Sequence, residues 1–145
     1  MCRKIAVVLG RILMAAIFIL SGVSKLFNWS GSLQHLVSTF SDWHAYLGQS
    51  PLFAKAISMA PLLLAIAIAL ELIGGCSVLI GYRPRWGATL LILFLIPTTI
   101  LVHHFWFLEG QARADEQISF IKNCAILGGL LILWASNMDR RRVSY

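Results

Sequence analysis

The stretch that most constrains the fold runs from Pro61 to Tyr82, PLLLAIAIALELIGGCSVLIGY, and it holds one carboxylate, Glu71, among apolar residues. An α-helix rises ~1.5 Å per residue and the hydrocarbon core of a bilayer is ~30 Å thick, so about 20 apolar residues are needed to cross it. The stretch reaches that length. A carboxylate at such a depth costs ~2.5 kcal/mol or more without a partner. The stretch therefore predicts a membrane-spanning helix whose Glu71 faces neighbouring helices.

The composition is also that of a membrane protein. Of the 145 residues, 59% are hydrophobic and 12% are charged, and the mean hydropathy is +0.80, whereas about 25% of the residues of a soluble domain are charged. The net charge of +6 comes from basic residues at the ends of apolar runs. That pattern marks membrane topology, so nucleic acid is not expected as a partner. Cys2, Cys76 and Cys124 form no CxxC motif and are interpreted as packing residues.

Three further apolar runs complete the prediction of one domain over residues 1–145. The four spans are expected at about 5–27, 56–82, 86–107 and 117–136. Between the first two, apolar residues recur every three or four positions over residues 32–47, which predicts a short amphipathic helix on the membrane surface. Pro61 is expected to bend or restart the second helix, and residues 109–116 are predicted to form a polar loop. The predicted fold class is an all-α integral membrane protein, a four-transmembrane-helix bundle with an amphipathic surface helix between spans 1 and 2.

The basic residues predict how the chain is oriented in the lipid bilayer. On one side of the membrane lie Arg3, Lys4, Arg83, Arg85 and Arg140 to Arg142. On the opposite side only Lys55 and Arg113 lie clearly in loops. The positive-inside rule then places both termini in the cytoplasm. The first run also has the form of a cleaved signal peptide, but the apolar pattern resumes after Arg11, which favours a retained span.

Arg11 is the predicted partner of Glu71, and the two are the candidate catalytic residues. Counted from the cytoplasmic ends of their spans, the two side chains lie at similar depths. One interpretation is a structural ion pair that locks span 1 to span 2. In the other, Glu71 carries protons, because acids inside membranes are frequently functional. The residues alone leave both open.

A second group of polar side chains is predicted in the outer half of the bilayer. Its members lie near the outer ends of spans 1, 3 and 4 and are Lys25, His103, His104, Lys122 and Asn123. Consecutive helical positions point ~100° apart, so at most one of the two histidines is expected to face squarely into the bundle. These residues either mark the membrane interface or form a binding pocket for a carbonyl-bearing or anionic headgroup such as a quinone, to which lysine, histidine and asparagine donate hydrogen bonds. A histidine there could also exchange protons near neutral pH.

No metal site is predicted. The adjacent histidines do not have the i, i+4 spacing of a helical zinc pair, and the sequence shows no second pair of ligands.

Five parts of the chain carry a resemblance to a known family: the fragment GRILMAAIFILSGVSKLF, the segment from Trp29 to Leu47-Gly48 and Pro51, and the fragments ELIGGCSVLIGYRPRWGA, HHFW and QISFIKNCAILGGLLIL. In this order and spacing they resemble the sequences of the DoxX family, small bacterial membrane proteins with four spans. The resemblance extends over nearly the whole chain. The resemblance implies a bacterial inner-membrane location and membrane redox work. One branch of the family looks like a subunit of thiosulfate:quinone oxidoreductase, and another looks like a membrane anchor in a complex of thiol-handling and superoxide-removing proteins.

The preferred functional hypothesis is a DoxX-type inner-membrane subunit that supports electron transfer between a partner redox protein and the quinone pool. The chain has no electron-carrying cofactor motif, so a partner would supply the other redox centre, and whether the chain is itself an enzyme stays open. One alternative is a small-solute carrier or channel, since a buried acid and Pro97 inside the third span suit one. Such a carrier would need a homo-oligomer for a wide enough pathway. The other alternative is a non-catalytic anchoring or assembly subunit.

Overall fold

The computed structural model describes residues 2–136, with side chains from Ile5 onward. Arg140 to Arg142, which contribute to the predicted orientation, lie outside the described residues. The described residues form six α-helices, and a short 3-10 helix, Phe105–Phe107, joins the last two. In chain order the α-helices are α1 (Cys2–Phe27), α2 (Trp29–Tyr46), α3 (Pro51–Ser58), α4 (Ala60–Ile80), α5 (Pro84–Val102) and α6 (Gly110–Ser136).

Four segments are long and apolar enough to cross a membrane, and within residues 2–136 the structure contains no β-strand. These spans are Ile5–Phe27, Ala60–Ile80, Pro84–Phe107 and Gly110–Ser136. The predicted all-α, four-span membrane bundle is therefore confirmed.

Helix α4 is central, because it packs closely against both α1 and α5. Two adjacent glycines allow this close packing. A Cβ on Gly75 would lie 2.8 Å from Ile19 on α1, and one on Gly74 would lie 3.0 Å from the carbonyl oxygen of Gly87 on α5. Small residues at such positions let helix backbones approach within a membrane. Helix α6 packs mainly on α5 and touches α1 only slightly.

The bundle has two chemically different ends. The basic end holds Arg11 and the turn between α4 and α5, where Arg83 has a left-handed backbone conformation (φ 46°) and Arg85 stacks 4.7 Å from the Trp134 ring. The aromatic end holds the rings of Trp43, Tyr46, Trp106 and Phe107. Between the two ends lies the core cluster of buried apolar side chains: Ala15, Phe18, Val78, Ala88, Leu91, Phe94, Leu95 and Leu130.

Helix α2 covers the aromatic end of the bundle. It begins three residues before the predicted range of 32–47 and ends one residue before the end of that range, and its Thr39 and Phe40 are buried. It packs against α3, α4 and α5, and the Trp43 indole N–H donates to the carbonyl oxygen of Leu101 at 2.8 Å. Burial of apolar surface against the bundle therefore holds this amphipathic helix in place. Its position on the membrane surface stays a prediction.

Two prolines and one polar segment test where the sequence predicted helices to break or end. The second span restarts at Met59, between α3 and α4, close to the expected site at Pro61. Helix α5 continues through Pro97. The predicted loop over 109–116 is wrong, because α6 begins at Gly110 and its polar first turns are stabilised by i, i+4 hydrogen bonds such as Gln111 to Asp115 at 2.9 Å. A polar helix is stable where it extends into water, so polarity alone did not mark the end of the helix.

Candidate functional site

Glu71 is buried in the bundle and forms an ion pair with Lys25. Only 1% of the Glu71 side chain is exposed, against 28% for Lys25, and both carboxylate oxygens accept a hydrogen bond from the Lys25 ammonium at 2.8 Å. The lysine side chain points back along α1, as helical side chains do, and also donates to the Ser21 hydroxyl at 2.6 Å. Its ammonium lies 5.2 Å from the centre of the Phe94 ring, which favours a cation.

A glycine brings the two helices close enough for this pair. A Cβ on Gly22 would lie 2.9 Å from the Leu72 side chain and 3.3 Å from the Cβ of Glu71. Glycine at this position lets α1 and α4 approach, so a lysine on one helix reaches a carboxylate on the other.

The predicted pairing of Arg11 with Glu71 is not formed. Arg11 lies at the basic end beside Gly81, just beyond the C-terminus of α4. Gly81 is about ten residues from Glu71, which is ~15 Å along a helix. The expectation of similar depths was wrong because Arg11 lies level with Gly81, at the C-terminal end of α4. Within the described residues Arg11 forms no ion pair, and its buried Nε has no hydrogen-bond partner.

A cavity of about 340 Å³ lies beside the ion pair. This volume falls at the lower end of the ~300–1,000 Å³ that small-molecule sites occupy. Of the predicted outer residues, Lys25, His103 and Asn123 line it together with Glu71. Much of its wall is apolar, formed by Ile17, Phe18, Phe94, Leu95 and Ile126. A flat apolar group with polar substituents matches such a lining.

The hydrogen bonds within the protein determine which donors at the cavity remain free to bind a ligand. The three protons of the Lys25 ammonium are matched by three acceptor oxygens, one on Ser21 and two on Glu71. Lysine is therefore not a spare donor, contrary to expectation. The Ser21 hydroxyl accepts from Lys25 and so keeps its own proton for another acceptor. Among the residues that the structure describes, the Asn123 amide makes no hydrogen bond, so Ser21 and Asn123 are available to a ligand's carbonyl oxygens.

His103 connects the cavity to the surface. Its Nδ1 donates to a carboxylate oxygen of Glu116 on α6 at 2.7 Å, and the two side chains are 21% and 37% exposed. Because Nδ1 carries the proton in this bond, Nε2 is the ring nitrogen left to exchange protons.

Two of the predicted residues do not line the cavity. The His104 ring turns toward the aromatic end, where it packs near Trp43 and Tyr46 and its Nδ1 donates to the carbonyl oxygen of Leu101 at 3.0 Å. Lys122 is exposed on α6. The ~100° offset between neighbouring helical positions separates Lys122 from Asn123, whereas His103 and His104 lie in the turn between α5 and the 3-10 helix.

Sequence reasoning missed four polar residues of the cavity, namely Ser21, Ser32, His35 and Thr98. Ser21 lies one turn before Lys25, and an i, i+4 pair on a helix is a signal that could have identified it. Ser32 and His35 lie on α2, which no sequence pattern placed over the bundle.

The described residues offer no evident metal centre. Within residues 2–136 no group of three or more His, Cys, Asp or Glu side chains is arranged to hold a metal ion. Cys76 and Cys124 are free thiols.

Fold and site together define a four-span, all-α membrane protein with a buried ion pair beside a small polar cavity. The DoxX family model matches residues 6–104, from α1 to the end of α5, and the chain belongs to the DoxX family. This match includes Lys25, Glu71 and His103, whereas Asn123 on α6 lies beyond it. The predicted resemblance is confirmed.

Similar proteins support an inner-membrane location. Inner membrane protein YphA of Escherichia coli (strain K12) is 30% identical over 144 residues, which cover 96% of this chain and 91% of the relative. Inner membrane protein YqjF of the same organism is 29% identical over 131 residues, covering 90% and 83%. A shorter similarity, 30% over 66 residues, links 46% of this chain to 21% of the ER-derived vesicles protein ERV29 of Saccharomyces cerevisiae. No solved structure matches the chain.

Proposed function

We propose that this DoxX-family inner-membrane protein is a subunit that binds a quinone headgroup in the cavity and supports electron transfer between a partner redox protein and the quinone pool. The observation that carries the proposal is the cavity itself, an apolar space with uncommitted hydrogen-bond donors beside a buried ion pair. Ligand sites in proteins combine mostly apolar walls with a few placed polar groups in the same way.

The residues present fit a quinone headgroup. A ring with carbonyl oxygens on opposite sides needs apolar walls and donors on more than one helix. Phe18 and Phe94, whose rings meet edge to face with centroids 6.3 Å apart, form part of the apolar wall. Ser21 on α1, Thr98 on α5 and Asn123 on α6 provide hydroxyl and amide donors on three helices.

The chain's own residues would bind the headgroup and handle protons. A bound quinone supplies the chemistry of accepting two electrons and two protons. Lys25 neutralises Glu71 and orients the Ser21 hydroxyl. His103, in contact with Glu116 near the surface, is placed to pass protons between cavity and water. The electrons come from a partner, since the chain has no motif for an electron-carrying cofactor.

The proposed orientation places the basic end, with Arg11, Arg83 and Arg85, in the cytoplasm, as the positive-inside rule requires. Both termini then face the cytoplasm, and the cavity lies in the outer half of the bilayer.

Binding of a short-tailed ubiquinone to the purified protein in nanodiscs tests the site. Asn123→Leu should weaken binding by about tenfold, equivalent to ~1.4 kcal/mol, because a buried carbonyl loses its donor. Ser21→Ala should have a similar effect. Matched controls are Gln117→Leu on α6 and Ser24→Ala on α1, both exposed, which should leave the affinity unchanged. Absence of binding for both ubiquinone and menaquinone headgroups, or equal affinity in all four variants, would overturn the proposal.

Electron transfer is tested on the complex that co-purifies in mild detergent. Substrate-dependent reduction of the quinone should fall with Asn123→Leu and persist with Gln117→Leu, at equal recovery of complex. If turnover per assembled complex is the same for both variants, the chain acts as an anchoring subunit instead.

A further inference from the structure

We infer that the cavity opens sideways into the bilayer through a gap between α1 and α6, so that its ligand is a lipid-soluble molecule whose apolar tail lies among the acyl chains. The nature of the headgroup rests on the proposed function. The opening rests on helix packing alone.

The packing of the four spans leaves one side of the bundle open. Contacts are extensive between α1 and α4, between α4 and α5, and between α5 and α6, whereas α6 meets α1 only slightly. The helices therefore form an incomplete ring around the cavity, and the unclosed side lies between the first and last spans.

One stripe of α6 shows where the gap begins. Residues 122, 126 and 129 follow the four- and three-residue spacing that keeps side chains on one helix face. Nearest the basic end, a Cβ on Gly129 would collide with the terminal methyl group of Met14, so the two helices touch there. One turn on, Ile126 is half-buried and lines the cavity, and a further turn on, Lys122 is exposed. Gly129 and Ile126 are both half-buried whereas Lys122 is exposed, as expected if α6 diverges from α1 toward the aromatic end.

The side of α1 that faces α6 also indicates an opening at this level. Ile17 lines the cavity although 48% of its surface is exposed. This combination is expected where the cavity reaches the outside of the bundle. Ile17 lies one turn from Met14 and Ile126 one turn from Gly129, so Ile17 and Ile126 are level with each other on the two sides of the gap.

Protein also lines the cavity on its other sides. Toward the basic end the core cluster fills the bundle, and toward the aromatic end Ser32, His35 and Leu36 of α2 line the cavity. An apolar side entrance excludes ions and admits a molecule already dissolved in lipid. The ligand class is therefore a polar ring or headgroup that carries an alkyl or prenyl chain.

The first experiment tests the opening without a quinone. A phospholipid with a diazirine in its acyl chain is irradiated with the reconstituted full chain, and mass spectrometry locates the adducts. Adducts on Ile17 and Ile126 are expected, in addition to those on lipid-facing Ile132. If Ile132 is labelled and neither Ile17 nor Ile126 is, the opening is refuted.

The second experiment closes the gap. Ile17→Cys and Ile126→Cys are joined by a short bifunctional thiol reagent in a chain whose native cysteines are replaced by serine. Bridging should abolish the lipid adducts at the gap and slow exchange of a decyl-tailed quinone by about tenfold or more. The matched control joins Met14→Cys to Gly129→Cys, where the helices already touch, and should exchange the quinone as the unbridged protein does.

The outcomes separate the two proposals. Equal exchange rates in both bridged proteins would refute entry through the gap, even if the quinone binds. Adducts at Ile17 and Ile126 with no quinone bound by any form would sustain the lateral opening for a lipid-soluble ligand and remove the quinone proposal.

Discussion

The Lys25–Glu71 pair should be a strongly coupled element of the bundle, and its energy can be measured by a double-mutant cycle. Lys25→Met leaves a carboxylate that is only 1% exposed without its cation. Breaking a buried ion pair by removing one partner costs ~3–5 kcal/mol. Glu71→Gln should cost less, about 1–3 kcal/mol, because Lys25 is 28% exposed and keeps Ser21 as a partner.

The double variant decides whether these costs come from the pair. Replacing both partners by apolar residues of similar size is often close to neutral, because neither charge is left behind. Lys25→Met with Glu71→Leu should therefore cost less than the sum of the single changes by about 2–4 kcal/mol. The free energy of unfolding is measured in mixed micelles by titration with a denaturing detergent, followed by tryptophan fluorescence.

A second ion pair of the same protein is the control. His103 and Glu116 are 21% and 37% exposed, and exposed pairs typically contribute ~0.2–1 kcal/mol. Glu116→Gln should lie in that range. If Lys25→Met costs no more than Glu116→Gln, or if the double variant simply adds the two single costs, the reasoning about the buried pair is refuted.

Three further predictions concern packing, the cover helix and orientation. Gly87→Ala should destabilise the protein by about 1–3 kcal/mol, because its Cβ would lie 2.8 Å from the carbonyl oxygen of Gly74, whereas Gly128→Ala, which meets nothing within 4 Å, should cost nothing in the same unfolding titration. Trp43→Leu should cost about 2–4 kcal/mol and weaken quinone binding, because it removes the hydrogen bond to Leu101 and the stacking on Phe53, while Trp86→Leu at an exposed site should change neither. A cysteine at Gln111 should react with a membrane-impermeant maleimide added outside spheroplasts, and one at Tyr82 only after permeabilisation; the reverse pattern would contradict the proposed orientation.

The spans were predictable because their signal is collective. Each depends on about 20 residues, so no single misjudged position removes a helix, as the continuous passage of α5 through Pro97 illustrates. Helix ends have a weaker signal, and the start of α6 at Gly110 was missed because a polar segment was assigned to a loop although it forms the first turns of the helix. Membership of the DoxX family was also accessible, because several fragments in a fixed order act together.

The sequence predicted several residues that line the cavity, but it did not predict which residue forms the ion pair with Glu71. Lys25, Glu71, His103 and Asn123 were selected because polar side chains inside apolar runs need a reason to be there. The partner of Glu71 depends on how far α1 slides along α4, and Arg11 lies 14 residues, about four helical turns, from Lys25. That register is set by the contact of Gly22 with Leu72 and of Gly75 with Ile19, and an apolar sequence offers many equivalent alternatives.

The core cluster makes a solute pathway through the monomer a poor interpretation of the same cavity. A carrier or channel needs polar groups that continue toward the opposite side of the membrane, but the cavity ends at Phe18, Phe94 and Leu95, and below them lie fully buried Val78, Ala88 and Leu91. Pro97 does not interrupt α5, which is continuous there. Transporter sites, in contrast, typically use interrupted helices. We therefore expect liposomes that contain the protein to take up small anions and cations no faster than empty liposomes. Uptake that requires Glu71, measured at equal amounts of folded protein with Glu109→Gln as the exposed control, would show that the core opens and would favour the carrier over the quinone-linked subunit.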